Sequence, residues 1–126
     1  MWTIKVSANF VPSCRDIEKS ISNDLDDYAH QRKRSPFIPG ECRKRFRRLA
    51  AFQRKIERII RKKTFPLRKV VRAKSKALNL QTVYFYRYRE LLCYFEINIE
   101  KQIAIAELAF ENWSEDEALQ FIQQAK

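Results

Sequence analysis

Arg87, Arg89, Tyr94 and Glu96 fall within one stretch, TVYFYRYRELLCYFEIN, at residues 82–98. A guanidinium, a phenol and a carboxylate on one surface can act on RNA: Arg neutralises phosphate, and Tyr stacks on bases. Metal-free RNA cleavage calls on the same groups. It needs a base for the 2′-hydroxyl, cations for the crowded phosphate and a proton donor for the leaving oxygen. Glu96 or Tyr94 would serve as base, with Arg87 and Arg89 as phosphate clamps. The ordinary alternative is that Arg87 and Glu96 pair across a sheet while Tyr94 packs, since such neighbours are common on strands.

A second set is larger. In ECRKRFRRLAAFQRKIERIIRKK, residues 41–63, 11 of 23 residues are Lys or Arg. Residues 32–76 hold 19 basic and 2 acidic side chains, a local charge of +17, while the rest of the chain sums to −6 from 7 basic and 13 acidic residues. Such asymmetry is the electrostatic footprint of a polyanion binder, nucleic acid before a membrane surface or an acidic protein. Arg43, Lys44, Arg47, Arg48, Arg54, Lys55, Arg58, Arg61 and Lys62 are the expected phosphate contacts.

These groups need elements to hold them. The segment 41–63 reads as a helix with an apolar stripe of Cys42, Phe46, Leu49, Gln53, Ile56 and Ile60, widened by Phe52 and Ile59. Burying four of its large side chains at ~1.5–3 kcal/mol each outweighs roughly 2–3 kcal/mol of repulsion summed over about eight close like-charge pairs. The helix can form, but its surface charge needs a reason outside the fold.

Around it, alternating WTIKVSANF (2–10) predicts a strand that ends at Pro12. Ser13 and Asp16 predict the start of a helix over about 14–31, with Ile17, Ile21, Leu25 and Tyr28 or Ala29 on one side and Arg32, Lys33 and Arg34 at its end. Pro36, Pro39 and Gly40 predict a loop at 35–41. Leu67, Val70, Val71 and Leu78 suggest a short third helical piece. Strands are predicted at 82–88, 91–97 and 102–110, and a closing helix capped by Ser114 with Glu117. A two-residue turn at Arg89-Glu90 pairs 88 with 91, 86 with 93 and 84 with 95. Tyr84, Tyr86, Tyr88, Cys93 and Phe95 then share the core face. Phe85, Arg87, Leu92, Tyr94 and Glu96 share the outer one, joined by Ile103, Ile105 and Glu107 if the next turn is even. The expected fold is one α+β domain over 1–126. It comprises an N-terminal strand, two to three helices packed on one face of a three-stranded antiparallel meander, and a C-terminal helix.

Composition excludes several classes. The lone glycine, Gly40, leaves no glycine-rich phosphate loop. Cys14, Cys42 and Cys93 lack CxxC spacing and His30 is the only histidine, so no metal and no cofactor is expected. No apolar run approaches the ~20 residues of a membrane span. A cytoplasmic protein with reduced, buried thiols and no membrane insertion is expected.

YRELLCYFEINIEKQIAIAELAFENWSEDEALQFIQQA, residues 88–125, resembles the last third of the RelE/HigB-type toxins of bacterial toxin–antitoxin systems. The shared pattern is a Tyr-Arg-led strand, an acidic turn, an apolar strand ending in Phe and a closing helix. The resemblance implies a small α+β domain with a curved sheet, ribosome-dependent cleavage of messenger RNA without metal, and control by an acidic antitoxin. The HigB branch carries Lys-Lys after that Phe, whereas Phe110 is followed here by Glu111-Asn112. The leading expectation is therefore a RelE-like scaffold used for binding nucleic acid, RNA in preference to DNA, or the ribosome. An endonuclease toxin and a module for an acidic protein partner are the alternatives.

Overall fold

The computed structural model describes residues 1–30, 37–66, 70–72 and 83–125. Along the chain run β1 (Thr3–Val6), α1 (Phe10–His30), α2 (Phe37–Lys62), β2 (Val70–Arg72), β3 (Val83–Tyr88), β4 (Leu91–Asn98), β5 (Ile103–Glu111) and α3 (Glu115–Ala125). The class is α+β, as expected. The sheet, however, is a mixed one of five strands in the order β1-β5-β4-β3-β2 rather than a three-stranded antiparallel meander. β1 lies parallel to β5, while β2, β3, β4 and β5 pair antiparallel in turn.

Two corrections follow from the sheet. Val70 and Val71 are not helical: Val70–Arg72 pairs with Tyr84–Tyr86 at the edge of β3, where β-branched side chains suit a pleated surface. Leu67 and Leu78, assigned to the same piece, lie outside the described residues, as do Arg32, Lys33 and Arg34. The helices also occupy both faces. α1 and α2 cover Tyr84, Tyr86, Cys93, Phe95, Ile97, Ala104 and Ala106, whereas Ala118 and Ile122 of α3 cover Val83, Phe85, Leu92, Tyr94 and Phe110 on the other side. β3 and β4 are buried on both faces over most of their length, so a helix layer is needed on each side.

The hairpin register is the one the two-residue turn dictates: Tyr88 pairs with Leu91, Tyr86 with Cys93 and Tyr84 with Phe95. Ile103 and Ile105 oppose Asn98 and Glu96, on the face of Tyr94. A bulge between Ala106 and Leu108 leaves Glu107 without a direct partner on β4.

Both long helices start earlier than their sequence signals. α1 begins at Phe10 and carries Pro12 in its first turn, and α2 begins at Phe37 with Pro39 in its first turn. A proline there forfeits only a backbone N–H that would have no helical partner. Ser13 is consequently not a cap. Its hydroxyl donates to the Phe10 carbonyl at 2.6 Å and accepts the Ala109 N–H at 2.9 Å, tying α1 to β5. The closing helix does use its box: Glu117 N–H donates to Ser114 Oγ at 3.1 Å, and Ser114 N–H to Glu117 Oε1 at 3.3 Å.

Phe52 is fully buried, as are Phe95 and Ile21. Phe52→Ala should cost about 3–5 kcal/mol through the lost transfer energy and the cavity left behind, whereas Arg58→Ala on the exposed side should stay within about 0.5 kcal/mol of wild type. Urea unfolding midpoints measure both; an unchanged midpoint for Phe52→Ala would show that this core is misassigned.

Candidate nucleic-acid interface

α2 buries Cys42, Leu49, Phe52 and Ile56, spaced seven, three and four residues apart, with Phe46, Ile59 and Ile60 at the margins. Phe52, read from sequence as a flank, is the centre of the seam. Gln53 reaches the Cys14 thiol of α1, whose pKa burial pushes up to about 11. Desolvation raises Cys93 as well, so both thiols stay protonated and unreactive at neutral pH. All three cysteines are free and buried.

Two α2 cations are neutralised inside the protein. Arg45 holds Glu111 with two parallel bonds, Nη2–Oε1 at 2.6 Å and Nε–Oε2 at 3.0 Å, and Asp24 of α1 at 2.5 Å. Arg48 donates through Nε to Glu90 and through Nη2 to Glu41 at 3.0 Å. The carboxylates of Glu111 and Glu90 favour the charged guanidinium in each case. Arg48 was an expected phosphate contact; the structure commits it to the β3–β4 turn. Arg45 is not among the expected phosphate contacts, and its carboxylate partners, 21 and 66 residues away, are brought to it only by the fold.

The other expected cations have no such partners. Among the described residues, Arg43, Lys44, Arg47, Arg54, Lys55, Arg58, Arg61 and Lys62, eight of the nine named, form no ion pair within 4 Å. Lys55 is half-buried and the rest are exposed. Lys44, Arg47, Arg48, Arg54, Tyr88, Arg89, Ala50 and Ala51 line an open groove of about 620 Å3 between α2 and the hairpin turn. Arg54 also lines a second depression of about 490 Å3 with Glu57, Arg58, Arg61 and Lys62. Lys55 Nζ sits 5.1 Å from the centroid of the Tyr88 ring, within cation–π range.

Arg89 reaches this groove from a fixed turn. Its backbone is left-handed, with φ of 54°, at a cost of roughly 1–2 kcal/mol for a residue with a Cβ. The surroundings hold it there: its carbonyl accepts Arg87 Nη1 at 3.1 Å, the Glu90 carbonyl accepts the Asn112 N–H at 2.8 Å, and the Glu90 carboxylate takes Arg48. Tyr88 was expected on the core face, and its ring does pack against that core. It also lines the groove.

The four residues first read as a catalytic set are divided. Arg89 faces the groove with α2. Arg87 instead anchors the start of α3, donating to Glu115 Oε1 at 2.8 Å and to the Trp113 carbonyl at 2.8 Å. Tyr94, 5% exposed, lies under α3, and its hydroxyl donates to Glu96 Oε1 at 2.8 Å. Burial and the Glu96 and Glu107 carboxylates push the Tyr94 phenol well above its usual range. It is therefore the proton donor of the pair and not a base.

No helix among the described residues is long and apolar enough to cross a membrane. Comparison with family models, with curated proteins and with solved structures gives no match.

The Arg87 guanidinium holds the Glu115 carboxyl below its ordinary value of 4.5. A depressed folded pKa contributes stability above the unfolded value that is lost as pH falls through the folded one. Wild type should therefore lose more stability than Glu115→Gln between roughly pH 5 and pH 3. The difference should be under about 1 kcal/mol, because water screens this half-exposed pair. Urea titrations at the two pH values measure it; equal losses would mean the pair contributes nothing to docking α3.

Proposed function

We propose that this protein binds RNA, in preference to DNA, along the cationic side of α2 and the β3–β4 turn, on a scaffold of the RelE kind. One observation carries the reading: Arg45 and Arg48 are neutralised by carboxylates of other elements, and the other eight named cations form no ion pair within 4 Å among the described residues. From Lys44 to Lys62 they follow a helix for roughly 27 Å at 1.5 Å per residue, enough to meet several successive phosphates. Retaining such a row within one rigid element is costly to the fold, as the like-charge pairs show. A polyanion repays that cost by releasing its condensed counterions. The preference for RNA rests on the resemblance of the last third of the chain to ribosome-directed toxins.

Cleavage is not part of the proposal. Tyr94 and Glu96 bond to each other on the face that α3 covers, and Arg87 is held by Glu115. Glu111, standing where the HigB branch has a lysine, is the carboxylate that binds Arg45. At this position the chain has an anchor for α2 instead of a cation for the reacting phosphate.

Binding of a labelled RNA oligonucleotide should weaken steeply between 50 and 200 mM salt, by about 10³-fold if six or more phosphates are contacted. The triple variant Arg47→Gln, Arg54→Gln, Arg58→Gln should reduce the slope of log affinity against log salt by about 2–3. It should melt no lower than wild type, because it removes repulsion within α2. Unchanged affinity and slope in this folded variant would overturn the proposal.

A further inference from the structure

We infer that the groove between α2 and the hairpin turn takes an unpaired nucleotide, with Tyr88 as the stacking face for its base and Lys44, Arg47, Arg54, Lys55 and Arg89 around its flanking phosphates. The inference deepens the nucleic-acid reading above and rests on it.

Shape supplies the first argument. Lys44, Arg47, Arg54 and Arg89 stand around an open groove with α2 on one side and the turn at Arg89 on the other. A duplex keeps its bases paired and stacked and offers these cations only its phosphates. A single strand is narrow and can turn its bases inward, as sites for unpaired nucleic acid require.

The floor supplies the second. Ala50 and Ala51 interrupt the basic run between Arg47 and Arg54. Two methyl side chains keep the helix surface low there, with a cation about one turn to either side. A flat group can approach the helix at that point while phosphates before and after it meet the flanking guanidinium groups.

Tyr88 supplies the third. Its ring is braced from behind by the sheet core, so stacking on it costs little ordering. In the free protein Lys55 lies against that ring. A surface cation–π contact is weaker than stacking of a base on an aromatic side chain, so an incoming nucleotide gains on exchange: its base takes the ring and a phosphate takes the lysine. The turn that carries Tyr88 and Arg89 is locked by the Arg48–Glu90 pair, so the recess exists before the ligand arrives.

The test compares three probes at one salt concentration: a 12-nucleotide single-stranded RNA, the duplex of the same sequence, and inorganic polyphosphate, which has charge but no bases. Wild type should bind the single strand more tightly than the duplex. Tyr88→Leu should weaken single-strand binding roughly 5- to 100-fold, the range that loss of one stacked base gives, and leave polyphosphate binding unchanged. A cooperative thermal unfolding transition, followed separately, certifies that the variant is folded. Tyr88→Phe, which keeps the ring, should bind the single strand as wild type does. If Tyr88→Leu binds the strand like wild type, or the duplex binds at least as well as the strand, the inference fails while the electrostatic reading stands. If wild type binds none of the three probes, both fail.

Discussion

Burial of Cys42, Leu49, Phe52 and Ile56 against α1 and the sheet decides where every charge of α2 must go. Once those side chains fill the interior, the helix has no rotational freedom, and the bases between them are fixed in direction as well as in sequence. The apolar seam is strong enough to tolerate the mutual repulsion of the opposite side. Without it the same residues would be a solvated chain of positive charge, with no groove and no preferred approach for a ligand.

The acidic residues then sort the bases into two populations. Glu111, Asp24, Glu90 and Glu41 neutralise Arg45 and Arg48. These ion pairs are mechanical as well as electrostatic. Arg45 joins α2 to the end of β5 and to α1, and Arg48 joins it to the turn between β3 and β4. The distance from helix to turn, and so the width of the recess beside them, depends on two guanidinium groups that face inward. Charge that stays inside shapes the site; charge that points outward would occupy it.

Much of this was legible from the residues. The two-residue turn left one register for β3 and β4, and the Ser114–Glu117 box located the start of α3, because both signals are local and each has a single geometric solution. Other features were not legible, for reasons that differ. The alternation in β3 and β4 is blurred because both faces are apolar, so nothing in VYFYRYRELLCYF announced that a helix must lie on each side. β2 is three residues long, too short for any period. Pro12 and Pro39 read as breaks, although a proline in a first helical turn breaks nothing. The fate of Arg45 and Arg48 depended on carboxylates brought close only by the folded chain. The register places Arg87, Tyr94 and Glu96 on one face, as the pattern indicates; what the pattern could not show is that α3 covers that face and engages Arg87, while Arg89 in the turn reaches the α2 side.

The parallel pairing of β1 with β5 has a kinetic consequence. The Ser7 hydroxyl reaches the Glu107 carbonyl across 100 residues of chain, and Thr3–Val6 can enter the sheet only after Ile103–Ala106 exists. The β3–β4 and β4–β5 hairpins are local and can assemble early, whereas the first strand waits for the last and bears the entropy of closing nearly the whole chain into a loop. During synthesis Phe10, Cys14, Ile17 and Ile21 would emerge long before the surface that shelters them.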